Sequence, residues 1–437
     1  MNDVDQRMYG LTAALDAVRE AYVAANPASA AAFRQATDFM PGGNTRSSLF
    51  YDPFPLAIAR GEGNAIWDAD GHRYLDLLGE FTAGLYGHSS PVIRAALVGA
   101  IDGGINLGGH NLLESRLARL ICARFPSIDA LRFTNSGTEA NLMAIALAKA
   151  ATGRARILVF SGAYHGGVLS FGGGGSAVNV PHEFVVAPYN DLADAERLIA
   201  AHGDRLAAVL VEPMLGAGGC IPAAPAFLAG LRAATTRTGA LLILDEVMTS
   251  RLSGGGRQAL LGLTPDLTTL GKYIGGGLSF GAFGGRGDLM ARFDPRRPDA
   301  LAHAGTFNNN VLSMAAGIAG LTELFPPAAA DALTARGDAL REQLNALCRR
   351  HGAQMQFTGL GSVMNVHFTD RPIACPDDAT SDPALRDLFF FDMVAAGYYL
   401  ARRGLIALML PVDDADLAGF VDTVEAFLIR RQAFLTR

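Results

Sequence analysis

Two charged side chains close apolar runs in the middle of the chain: Asp245 in "LLILDEV" and Lys272 in "LTTLGKYIGGG". A carboxylate at the end of a buried strand either caps a neighbouring turn or needs a cationic partner, because an unpaired buried charge is very costly. A protonated pyridine nitrogen would be such a partner, and the pair would hold the ring as an electron sink. Lys272 is not a P-loop lysine. The spacing is not GxxxxGK[ST], Tyr273 follows it, and the glycines come after it. A surface lysine is the competing reading, but the flanks "TTLG" and "YIGGGLSFGAF" are nearly uncharged. A lysine so placed is desolvated, its pKa falls, and its amine becomes a nucleophile able to form a Schiff base with an aldehyde.

Three more stretches carry chemistry. In "FTNSGTEAN" (133–141), Ser136 and Glu139 have the S-x-x-E spacing of a capping box at a helix start. A helix N-terminus also binds phosphate, Gly137 permits close backbone approach, and Ser136 and Thr138 add hydroxyl donors. In "FSGAYHGG" (160–167), Tyr164 and His165 are either ordinary loop residues or, between glycines at a strand end, an aromatic that stacks on a flat ring. Glu212 in "LVEP" closes another apolar strand, with Pro213 fixing the exit; a surface acid is the default reading. Together they make a phosphate cradle, a ring stacker, an acid for a pyridinium and an amine.

The elements that must position these groups follow from the pattern around them. Short apolar runs recur at "LRFTN", "RILVF", "FVVAP", "AAVLVEP", "ALLILDEV", "LTTLG" and "FGAFGG". Helical stretches at 138–150, 191–202 and 225–238 separate most of them. Strands alternating with helices predict an α/β fold with a seven-stranded, mainly parallel sheet buried on both faces. Ligands of such sheets bind at the carboxyl ends of the strands. Residues 11–40 read as one helix closed by "PGG", and the turn at Asp70–Gly71 predicts a small hairpin. Helical periodicity also covers 91–103, 111–124 and a long stretch from Asn310 to about Leu324. We expect an N-terminal segment (1–75) belonging to a small domain, a large domain (76–325) and a C-terminal α+β small domain (326–437), with 369–383 a polar loop.

Bulk properties exclude other classes. The chain has 437 residues, 50% of them hydrophobic and 18% charged, with net charge −6. That balance suits a large core and a wide subunit interface, and no basic stretch argues for nucleic acid. Cys122, Cys220, Cys348 and Cys375 lack CxxC spacing, so no zinc site or disulfide framework is indicated. The N-terminus lacks a basic stretch followed by an apolar one, and no run reaches the length of a membrane span. A cytoplasmic setting is expected.

The motifs "NSGTEAN", "YHGG", "VEP", "LILDEVMTS", "DLTTLGKYIGGG" and "GTFNNN" together resemble the class III pyridoxal-phosphate aminotransferases of fold type I, over nearly the whole chain. "DEVMT", "LGKYIGGG" and "GAFGGR" lean toward the glutamate-1-semialdehyde aminomutase-like branch. The resemblance implies that Lys272 holds pyridoxal 5'-phosphate as a Schiff base and then shuttles protons, and that Asp245 pairs with the pyridine nitrogen. It implies that Ser136, Gly137 and Thr138 bind the phosphate. Tyr164, with His165 beside it, and Val247 would flank the ring, and Glu212 would lie on its hydroxyl side. Thr306 would reach the phosphate in the other subunit of an obligate homodimer. One departure matters: where aminomutases of this branch read like "SGNP" and "NSPVR", this chain has "FNNN" (307–310) and "PGGNTRSSLFYDPFP". The chain is more similar to the aromatic β-amino acid (β-phenylalanine) aminotransferases. That implies Arg46 as the donor's carboxylate anchor, Met248 beside the substrate, and Arg403 near the entrance, aiding a dicarboxylate acceptor. An aminomutase-like isomerase is the runner-up. A binding protein that holds cofactor without turnover is disfavoured by intact Lys272 and Asp245. A Rossmann dehydrogenase is disfavoured because no GxGxxG joins a first strand to its helix.

Overall fold

The computed structural model describes residues 3–379 and 382–436. Met1, Asn2, Arg437 and, in the 369–383 loop, Thr380 and Ser381 lie outside the described residues.

All seven apolar runs form one sheet, ordered Ala130–Thr134, Gly281–Gly285, Leu267–Gly271, Leu241–Asp245, Leu206–Val211, Arg156–Phe160, Glu183–Ala187. Gly281–Gly285 runs antiparallel to both neighbours; the other described pairings in the sheet are parallel. Leu206–Val211, Leu241–Asp245 and Leu267–Gly271 are buried at every position, as a sheet covered on both faces requires. Each Val, Leu or Ile so buried contributes about 1.5–3 kcal/mol. Gly281–Gly285 has a different cause: a Cβ on Gly281 would run into the Ser136 carbonyl, so glycine there lets the start of helix Gly137–Thr152 lie against the sheet.

Outside the sheet, helices Pro91–Asp102 and Leu112–Arg124 match expectation. The hairpin forms from Ala65–Asp68 and Arg73–Asp76, with Ile58–Glu62 added on one side and Tyr398–Tyr399 on the other. Helix Asp3–Ala25 packs on Pro383–Ala395 through the Tyr22 and Phe391 rings, 5.1 Å apart, and through Arg19 and Asp387 at 3.1 Å. The single helix expected over 11–40 is instead two, Asp3–Ala25 and Pro27–Thr37. Pro27 has no N–H to continue the ladder and forces Asn26 out of helical geometry (φ −124°, ψ 51°). The long helix after Asn310 runs as Val311–Ala319 and then widens to a π turn, Gly320–Leu324. Among the described residues no single helix is long and apolar enough to cross a membrane.

Candidate active site

Lys272 follows the strand Leu267–Gly271 with φ +56°, a conformation that costs a non-glycine residue roughly 1–2 kcal/mol. The bend sends its side chain inward, where Nζ donates to the Phe81 carbonyl at 2.5 Å. Burial, reinforced by the Arg403 charge, pulls the ammonium down to about 8. Lys272 as a residue is half-buried, with its amine turned inward.

Asp245 ends the adjacent parallel strand, in register with Thr269. It is 5% exposed. Oδ2 accepts from Asn141 Nδ2 and pairs with His165 Nδ1, both at 2.8 Å, and Oδ1 accepts the Val247 amide at 3.0 Å. The Asn141 amide is itself oriented: its Oδ1 accepts from Thr269 Oγ1 at 2.8 Å, and its Nδ2 also reaches the His165 carbonyl at 3.0 Å. His165 is therefore buried behind the carboxylate, where it orients Asp245 and cannot stack on a ring. Its Nε2 has no hydrogen-bond partner among the described residues. Tyr164, by contrast, is 46% exposed, with only its amide tied down, to Glu212 Oε1 at 2.9 Å. Glu212 is buried, not a surface acid. It also accepts the Gly216 amide at 3.0 Å, and burial pushes its carboxyl up to about 7.

Ser136 caps helix Gly137–Thr152 by accepting the Glu139 amide at 3.2 Å. The expected capping box is only half formed. Glu139 reaches back past Ser136 to the Asn135 amide at 2.9 Å, one residue too early. Helix geometry leaves the Gly137 and Thr138 amides without intrahelical acceptors, so the helix start can bind an anion. A Cβ on Gly137 would lie 2.9 Å from the Val247 side chain, so the first turn packs flush against Val247. Thr138 Oγ1 accepts the Gly167 amide at 3.3 Å. An inward-turned amine, a fixed buried carboxylate and a helix start with glycine at its first position suit a phosphorylated pyridine aldehyde.

Arg46 and Arg403, far apart in sequence, meet at one ring. Their guanidinium carbons lie 5.0 and 5.2 Å from the centroid of Phe81, whose carbonyl receives Lys272. Arg46 also pairs with Glu80. Arg403 is half-buried, with Nε sealed from solvent. Met248 is half-buried, its side chain against Gly216, where a Cβ would collide with it. Beyond the Glu80–Phe81 turn is a cavity of about 510 Å³ lined by Phe33, Leu49, Leu56, Leu78 and Tyr399. Thr306 is exposed on an open cleft of about 1170 Å³, with Ile105, Leu112 and Phe307. Two residues on, Asn308 Oδ1 accepts from Asn135 Nδ2 at 3.0 Å, placing this segment beside the Ser136 helix start.

Sequence reasoning missed Asn141, Glu80 and Phe81. A polar residue amid the buried Ala140, Ala144 and Ile145 marks Asn141 in retrospect. "GEFTAG" (79–84) offers only its flanking glycines.

A profile of the aminotransferase class-III family matches residues 47–382. The beta-phenylalanine transaminase of Variovorax paradoxus is 58% identical, over 97% of each chain. A crystal structure of a β-phenylalanine aminotransferase from that organism superposes with a TM-score of 0.97 at 57% identity, covering 98% of this chain and 99% of the other. A glutamate-1-semialdehyde 2,1-aminomutase of Dichelobacter nodosus is 40% identical over 88% of this chain and 95% of its own. The structure of a transaminase with PLP bound superposes with a TM-score of 0.85 at 31% identity, covering 94% and 98%.

Proposed function

The chain belongs to the class-III aminotransferases, which use pyridoxal 5'-phosphate, and we propose that it moves the amino group of an aromatic β-amino acid such as β-phenylalanine to 2-oxoglutarate or pyruvate. The observation that carries this is the gathering of two arginines at Phe81, beside the reactive amine. Both substrates carry carboxylates. A β-amino acid holds its own one carbon further from the reacting amine than an α-amino acid does, so it needs a cation on the side where Arg46 stands. The planar fork of arginine grips a carboxylate through two hydrogen bonds. Arg403 then serves the acceptor, with Met248 beside the substrate. The similarity to the Variovorax enzyme supports the same donor class.

The cofactor supplies an aldehyde for the amino group and a ring that draws off electrons. Residues of this chain do the rest. Lys272, an amine once deprotonated near pH 8, would take the proton from the donor carbon that bears nitrogen and deliver it to the cofactor carbon that receives the nitrogen. Asp245, locked by Asn141, His165 and the Val247 amide, would keep a ring nitrogen protonated. Ser136, Gly137 and Thr138 would hold the phosphate at the helix start. Tyr164 and Val247 would flank the ring, and Glu212 would face its hydroxyl.

Arg46→Ala is expected to weaken β-phenylalanine by roughly 1.5–3 kcal/mol in kcat/KM, as for a hydrogen bond to a charged group. Measured alongside, 1-phenylethylamine, which has no carboxylate, should lose little. Equal losses would make Arg46 a structural residue, and no activity on any β-amino acid would overturn the substrate assignment.

We propose also that the enzyme is a homodimer sharing its sites, through Thr306. Exposed apolar side chains support this: Leu112 at 86%, Phe307 at 57% and Ile105 at 50% line the open cleft that carries Thr306. Mixing a Thr306-defective chain with a Lys272-defective one should restore part of the activity in hybrid dimers. No recovery despite subunit exchange would contradict a shared site. Four free cysteines support a cytoplasmic location, which fractionation of the native host would test.

A further inference from the structure

One backbone turn makes three separate contacts with the site. Gly79, Glu80, Phe81 and Thr82 have φ of 51°, 48°, 53° and 77°, three of them non-glycine residues in the left-handed region. Such strain survives only where the surroundings enforce it. Here the Leu78 and Gly79 amides donate to Asp76 Oδ1 at 2.7 and 3.0 Å, and Asp76 Oδ2 is paired with His88 Nε2 at 2.9 Å. The turn directs the Phe81 carbonyl at Lys272, lays the Phe81 ring against Arg46 and Arg403, and aims the Glu80 carboxylate at Arg46. The first two contacts serve the reaction. The third opposes it: a carboxylate of the chain occupies the guanidinium that the donor's carboxylate needs.

The pair is built to open. The Arg46 side chain is 40% exposed and that of Glu80 61%, so the bond between them is weak and exchanges with water. A buried pair would block the donor, and an unopposed Arg46 would bind any passing anion.

We propose that Glu80 is a specificity-determining residue, an internal carboxylate that holds Arg46 between turnovers and yields it to a substrate whose own carboxylate can replace it. This rests on the reading of Arg46 as the carboxylate anchor. Binding at Arg46 is then an exchange of one carboxylate for another, and only a ligand with further contacts in the site completes it.

The test uses holoenzyme and 3-phenylpropionate, the donor without its amine, which binds but cannot react. Glu80→Gln keeps the shape and removes the competing charge. It should tighten the inhibition constant about two- to fivefold, the range of an exposed ion pair. Glu80→Asn is the second variant, because asparagine tolerates left-handed backbone if glutamine disturbs the turn. In an Arg46→Ala background Glu80→Gln should change nothing, since the two residues act as one unit. Unchanged or weaker inhibitor binding in both variants, or the same tightening without Arg46, overturns the proposal. If Arg46→Ala alone weakens the inhibitor while both Glu80 variants are silent, the anchor stands and only the role of Glu80 falls. If Arg46→Ala is silent too, both fall.

Discussion

Replacing Lys272 with alanine leaves a folded protein without measurable amino transfer. The substitution removes the nucleophile and the proton carrier together. General acid–base catalysis alone is worth about 10²–10⁴-fold, so the loss should exceed that range. The fold should persist, because among the described residues Nζ hydrogen-bonds only the Phe81 carbonyl and alanine fits wherever the lysine stem did. Turnover beside a circular-dichroism melt checks both halves. The chain simplifies the chemical proof, since it contains only two lysines, Lys149 and Lys272. Borohydride reduction of the holoenzyme, followed by peptide mapping, should mark Lys272; a mark on Lys149 alone would contradict the assignment. The pH dependence has a definite sign. With the ammonium at about 8, the free amine grows as pH rises through 8 and then levels off. Cofactor capture by the apoenzyme should follow that curve. A rate still climbing toward the ordinary lysine value of 10.5 would mean that the amine is not desolvated.

Asp245→Asn should cost at least as much activity as a lost general acid or base, about 10²–10⁴-fold. A neutral amide cannot keep a ring nitrogen protonated. The local reason is equally specific. The carboxylate accepts from Asn141 and the Val247 amide and pairs with His165. An amide there must turn its own NH₂ toward one of them, leaving two donors face to face. A buried group left unpaired costs about 1–3 kcal/mol, so the variant should melt lower yet remain folded. Near-normal turnover at saturating cofactor would refute the role.

What could be read from the sequence follows a physical divide. The sheet was legible because strands buried on both faces, such as Leu206–Val211, leave unbroken apolar runs. Lys272 and Asp245 stood out because a charge at the end of such a run must be paired or desolvated. Where one residue sets the local geometry the signal was present but overridden: Pro27 splits the helix that the alanine-rich pattern seemed to continue. The half-formed capping box at Ser136 shows the limit of spacing rules, since Glu139 had a second amide within reach. The left-handed turn at Glu80–Thr82 was not legible at all. Its residue types do not favour positive φ, and tertiary contacts through Asp76 impose it. The packing of Arg403 on Phe81 was hidden for a related reason, because the two are remote in sequence.

The central claim is amino transfer out of a β-amino acid, and a half-reaction tests it most directly. Holoenzyme is mixed with excess β-phenylalanine and no keto acid, and the 3-oxo acid formed is counted per site. One equivalent and then a halt is expected, because the amino group has nowhere further to go. Adding 2-oxoglutarate or pyruvate should release it and start a second round. No 3-oxo acid at all would contradict the donor assignment. Continued turnover of β-phenylalanine to an isomer without any keto acid would make the protein an aminomutase instead.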